Sequence, residues 1–172
     1  MEIKKSTRHP KIAGDFGEAM ILYWLSKHGF ECAKVDHTGI DLIANNPHTK
    51  EVMGISVKSR TRSPDTEEEF VKIDATNFQK MKDACNAFGC RPYFAIVVDA
   101  NPTIRIFITS MEHVLDMYPI KKANSGWRMS PNALTAYAND DKIMSFELEI
   151  KPGNWWKPSK LPPVPLPKRL QL

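Results

Sequence analysis

The order of helix and strand signals along this 172-residue chain predicts a mixed α/β domain in which helices cover a central sheet. Three features predict it. An amphipathic helical stretch opens the chain, and two strand-like runs then flank a turn-rich segment. Further on, RPYFAIVVDA (91–100) is almost continuously apolar, as a strand covered on both faces should be.

Each element has its own signal. GDFGEAMILYWLSKHG (14–29) reads as a helix: Asp15 suits the N-cap, Phe16, Ala19, Met20, Tyr23 and Trp24 recur at helical spacing, and Gly29 stops it. FECAKV (30–35) reads as a strand. GIDLIA (39–44) and EVMGISVKS (51–59) read as a hairpin around NNPHTK (45–50). RTRSPDTEEE (60–69) is a polar loop, and NFQKMKDACNAF (77–88) an amphipathic helix ended by Gly89. IRIFI (104–108) is a strand, SMEHVLDMY (110–118) a short helix capped by Ser110, and Ser130-Pro131 the start of another. KIMSFELEI (142–150) alternates as a half-buried strand does.

At its ends the chain changes character. Residues 1–13 are expected to be a flexible basic arm, 14–150 one domain, and 151–172 a proline-rich basic tail without regular structure. Within that tail Trp155-Trp156 suits packing onto the domain or a partner subunit, or stacking on bases, and LPPVPLPKR (161–169) has the character of a segment that binds a protein partner as polyproline.

Hydrophobic residues at 42% and charged residues at 26% suit a globular domain, and no apolar run is long enough to span a bilayer. The basic N-terminus lacks the apolar stretch of a signal peptide, so no membrane partner and a cytoplasmic location are expected. Cys32, Cys85 and Cys90 are too few and too widely spaced for a disulfide framework or a zinc site. The formal charge of +4 only weakly favours a polyanionic partner. G-x-G-x-x-G, Walker A and G-x-S-x-G patterns are absent, which leaves a small-molecule enzyme without support.

The hairpin carries the chemistry. Residues on one face of a strand share parity. Ile55 and Val57 are apolar, so Ser56 and Lys58 point the other way; Ile40 and Leu42 match the apolar face, so Asp41 opposes it. Any register that unites the apolar sets also unites Asp41, Ser56 and Lys58. Phosphodiester hydrolysis needs a hard divalent cation on oxygen ligands, and a nearby lysine can orient the attacking water or stabilise the developing charge. The plainer alternative is a surface cross-strand ion pair, typically worth under about 1 kcal/mol.

GDFGE (14–18) opening a helix, GIDLIA (39–44) on one strand and GISVKSR (54–60) on the next resemble the PD-(D/E)xK nuclease superfamily, in its Holliday-junction-resolvase-like and restriction-endonuclease-like branches. The similarity covers roughly the first sixty residues. It implies a restriction-endonuclease-like central mixed sheet flanked by helices. It also implies a metal-dependent phosphodiester hydrolase, a DNA endonuclease using a metal-activated water, with Mg2+ or Mn2+ as cofactor. DNA is the implied partner, RNA an alternative one, and such domains often act as dimers. Glu18 and Asp41 would hold the metal together with the backbone carbonyl of Val57, and Lys58 would be the catalytic lysine. Arg60, Arg62 and Lys72 flank the hairpin and its loop, where they could contact phosphates as readily as form a solvated face. The sequence departs from the pattern at Ser56, where the family usually carries an acid. Asp36 and Asp15 are the nearest carboxylates able to compensate. An alternative therefore stands beside the enzyme: a catalytically impaired nucleic-acid-binding or scaffold protein on a nuclease fold.

Overall fold

The computed structural model describes residues 5–151. Helix α1 (His9–Lys27) is followed by strands β1 (Glu31–His37), β2 (Ile40–Asn45), β3 (Val52–Thr61) and β4 (Val71–Asp74). Next come α2 (Ala75–Phe88), β5 (Arg91–Asp99), β6 (Thr103–Ser110) and α3 (Met111–Met117). β7 (Asn124–Trp127), α4 (Pro131–Ala138) and β8 (Met144–Glu149) complete the order. Six strands form one mixed sheet in the order β1-β2-β3-β5-β6-β8, in which β3 and β5 are parallel and the other neighbours antiparallel. β4 and β7 form a separate antiparallel pair. The predicted mixed α/β architecture, a central mixed sheet flanked by helices, is what the chain adopts. None of the helices among the described residues is long and apolar enough to cross a membrane.

Both faces of the large sheet are covered. Ile21 and Leu25 of α1 pack with Leu42, Ala44, Met53, Ile55, Ala95, Val97, Ile106 and Ile108. On the other face Phe78 and Met81 of α2, Val114 of α3, Tyr137 of α4 and Trp127 of β7 pack on Phe94, Ile96, Val98 and Phe107. Consecutive residues of β5 thus face opposite cores, which is why its sequence is uniformly apolar. Gly54 leaves room in β3 for the thiols of Cys90 and Cys85, which a Cβ would meet at 2.5 and 2.6 Å. The cysteines are free, and burial with the neighbouring Cys90 pushes the Cys85 thiol up to about 12, so it stays protonated.

Three expectations need correction. α1 begins at His9, not at Asp15, because Pro10 fits the first turn of a helix; Asp15 instead pairs with Lys11 one turn away at 3.0 Å. Residues 9–13 are therefore helical and not part of a flexible arm. Ile40 packs in the α2-side core, so β2 does not divide cleanly into one apolar and one polar face. The β4–β7 pair went unseen, since NSGW carries little of the β-branched content that marks strands. Ser110 caps α3 as expected, accepting the His113 N–H at 3.1 Å. The tail from residue 152 onward, with Trp155, Trp156 and 161–169, lies outside the described residues.

Candidate functional site

Two glycines position the site. Gly39 has φ +111°, a region that disfavours side chains, and a Cβ there would collide with the Lys80 carbonyl of α2. The β1–β2 turn is thereby pressed onto α2, and β2 starts at a fixed place. Gly17 does the same for α1: a Cβ would collide with Ser59 Oγ and stand 3.2 Å from Ser59 Cβ. The helix can approach β3 this closely only at a glycine, and Glu18 follows directly.

The β2–β3 ladder runs from Asn45↔Val52 to Leu42↔Ile55, which joins Leu42 to Ile55 and Val57 in the α1-side core but leaves Ile40 in the other. Beyond it the strands part. The Val57 N–H, which would otherwise face β2, donates to Asp41 Oδ2 at 2.6 Å. A residue's N–H and C=O project to the same side of a strand, so the Val57 carbonyl is directed toward the same fork. Lys58 Nζ donates to Ser56 Oγ at 2.7 Å, and Ser56 is only 4% exposed. Asp41, Ser56, Val57 and Lys58 are therefore brought together.

The electrostatics follow from burial. Desolvation raises the Asp41 carboxyl above its usual range, and the Glu18 charge adds to this, while the Val57 N–H, the Lys58 ammonium and the Ser56 hydroxyl pull it back. Desolvation likewise lowers Lys58, against the attraction of Asp41. Lys58 interacts with Asp41 through space while its direct bond goes to Ser56, so the pair is not the surface ion pair of the plainer reading.

Glu18 reaches the site from α1. Its carboxylate is bound by Lys34 of β1, Nζ to Oε2 2.7 Å, and this contact is the main reason the Lys34 ammonium is raised. Glu18, Lys34, Asp41, Asp15, Asp36 and His37 border an open recess of about 410 Å³. Asp15 and Asp36, the candidate compensating acids, thus lie on the recess wall. His37 packs edge-on against Phe88, ring centroids 5.2 Å apart, as befits a structural turn residue.

Among the described residues there is no group of three or more His, Cys, Asp or Glu side chains arranged to hold a metal. The fork nevertheless offers the carboxylates of Glu18 and Asp41, which border one recess, and a backbone carbonyl aimed the same way. That donor set fits Mg2+, which commonly uses one or two carboxylates and completes its octahedron with waters and phosphate oxygens.

The flanking cations divide. Arg60 is exposed, its guanidinium donating to the Ser59 carbonyl at 2.7 Å. Arg62 corrects an expectation: its side chain is 10% exposed and bonds Glu69 and the Glu69 and Phe70 carbonyls, holding the 62–70 loop and leaving little to offer a phosphate. Lys72 lies on the separate β4–β7 pair, bridged to Asp74 at 2.8 Å. Two participants went unseen in the sequence, Lys34 and the Gly17–Ser59 contact. Lys34 lies opposite Leu42 in the register, one residue from Asp41, a relation that only the β1–β2 pairing reveals.

No family model matches the sequence, and no curated protein matches it. Among solved structures the chain is similar to Hjc, a Holliday junction resolvase from the archaeal hyperthermophile Archaeoglobus fulgidus, with 18% identity and a TM-score of 0.49, over 69% of this chain and 91% of that one.

Proposed function

We propose that this chain is a divalent-metal-dependent phosphodiester hydrolase acting on DNA, with its site at the β2–β3 fork. The observation that carries the reading is the Asp41 carboxylate, held at the strand fork by the Val57 N–H and facing both Glu18 and Lys58. The motif resemblance over the first sixty residues supports the same assignment. Asp41, Glu18 and the Val57 carbonyl would hold Mg2+ or Mn2+, which when bound supplies Lewis-acid polarisation of a phosphoryl oxygen.

The protein's own groups do the rest. Lys58 has three protons, one directed to Ser56; the others would donate to an attacking water or to a phosphate oxygen as charge develops. Partial burial shields that ammonium from bulk water, which would screen its field. Attack by water forms a new P–O bond as one P–O ester bond breaks; the water gives up a proton to solvent and the leaving oxygen takes one up, so the products are a phosphomonoester and an alcohol. The exposed Arg60, two residues along β3, adds positive charge beside the path of the backbone.

One observation favours a second reading. The neutral Ser56 occupies the place of an acid and is itself the acceptor for Lys58, so the fork has one negative charge fewer than the motif usually provides. A protein that binds nucleic acid without cutting it would carry such a site. Purified protein incubated with linear, branched and single-stranded DNA, with Mg2+ or Mn2+, separates the two. The hydrolase reading expects metal-dependent cleavage that Asp41→Ala abolishes. Binding without cleavage on every substrate favours the second reading, and cleavage that survives Asp41→Ala removes Asp41 from the mechanism.

A further inference from the structure

We infer that Lys34 is an internal counter-cation of this site: its ammonium neutralises the Glu18–Asp41 carboxylates when no divalent ion is bound, competes with that ion, and so sets the metal affinity. The inference rests on the reading that Glu18 and Asp41 hold the metal.

Geometry supports it first. Lys34 Nζ is 2.7 Å from Glu18 Oε2, and Lys34, Glu18, Asp15 and Asp41 border the same recess. The ammonium thus lies where carboxylates of two different elements, α1 and β2, converge, and an ammonium and a metal ion are alternative solutions to the same repulsion. β1 is an edge strand, and its register against β2 shifts between Lys34 and His37. Such irregularities re-aim side chains, often next to active sites.

The asymmetry of exposure points the same way. The Glu18 side chain is 21% exposed and that of Lys34 57% exposed, so the acid is held while the lysine has an open path to water. Its flexible stem lets it withdraw without moving the strand. The other lysine on the recess is not equivalent: Lys11 is bonded to Asp15, whereas Lys34 is bonded to Glu18 itself. Because Ser56 brings no charge, removing one positive charge here changes the net charge of the donor set by a larger share than in a site with a third acid.

The opposing possibility is a clamp that merely ties α1 to the sheet edge. Mn2+ titration by calorimetry of the full chain distinguishes the two, comparing wild type, Lys34→Met, Lys34→Arg and Asp41→Asn, with thermal melts of each. The inference expects Mn2+ affinity to rise about three- to tenfold in Lys34→Met, as the like-charge repulsion is lifted, and to fall or hold in Lys34→Arg, whose fork grips a carboxylate more firmly. A clamp gives unchanged or weaker binding in Lys34→Met together with a lower melting temperature, and that result overturns the inference while leaving the site intact. Binding equal in wild type and Asp41→Asn, or absent from all four proteins, removes the metal site itself and the inference with it.

Discussion

Asp41 is placed where function and stability pull in opposite directions. Its carboxylate is largely withdrawn from water yet lies beside Glu18, and the favourable contacts to Val57, Lys58 and Ser56 do not fully offset that cost, which is why its pKa is raised. A carboxyl raised in the folded state contributes stability below its ordinary value of 3.8 and loses it as pH rises through the raised value. Asp41→Asn, which can still accept the Val57 N–H, should therefore match or exceed wild type in stability at pH 7, by up to about 1 kcal/mol, and lose that advantage toward pH 4. Melting curves at the two values check the sign, and a variant less stable at pH 7 contradicts it. The same change should lower any metal-dependent cleavage at least about a hundredfold, since charge stabilisation by the ion is worth several kcal/mol. Ser56→Ala acts differently. It removes the hydroxyl that accepts from a half-buried ammonium, and a buried group left unsatisfied costs about 1–3 kcal/mol, here toward the lower end. Urea denaturation should show that loss; no change would mean that water replaces the hydroxyl.

Within α1, two glycines three residues apart have opposite reasons to be there. Around Gly14 a Cβ would meet nothing within 4 Å, whereas at Gly17 it would run into Ser59. Gly14→Ala should stabilise the protein by about 0.5–1 kcal/mol, the ordinary helix-interior difference. Gly17→Ala should reverse the sign, costing about 1–3 kcal/mol as overpacking does, and should weaken Mn2+ binding because Glu18 is lifted from the fork. Chemical denaturation of the pair, with a metal titration, checks both halves. Strand periodicity gave the Leu42↔Ile55 register, but its parity premise fails at Ile40, and Asp41 is held near Ser56 and Lys58 by the Val57 N–H rather than by the ladder. The contact that brings Glu18 to them is between a helix and a strand more than forty residues apart, and a bare glycine in GDFGE does not say what it approaches. Lys34 and the half-buried Arg62 were illegible for a related reason: a basic residue in a strand or loop reads as solvated until the partner strand or the carbonyls around it are known. β4 and β7 were missed because neither four-residue segment carries a pattern long enough to show a period.

The site draws on both layers of the molecule at once. Glu18 comes from the α1 layer, while the turn that sets Asp41 is pressed onto α2 through Gly39 and the Lys80 carbonyl. The strands between them serve both cores: Ala95 and Val97 face α1, Phe94, Ile96 and Val98 face α2 and α4. If one layer loosened, the same central strands would lose cover, so the two cores should melt as a single cooperative unit. Leu25→Ala on one side and Met81→Ala on the other remove fully packed side chains, Leu25 at 1% and Met81 at 0% exposure, and each should cost about 2–5 kcal/mol. Each should also lower one common transition with an unchanged dependence on urea, read by far-UV circular dichroism and by segment-resolved hydrogen exchange. Loss of protection confined to α1 in Leu25→Ala, or to α2 in Met81→Ala, would show two units that melt apart. In that case the fork could not hold Glu18 and Asp41 in fixed relation, because each acid would answer to a different layer's fluctuations. A common transition, in contrast, means that the spacing between the two acids is protected by the stability of the whole sheet.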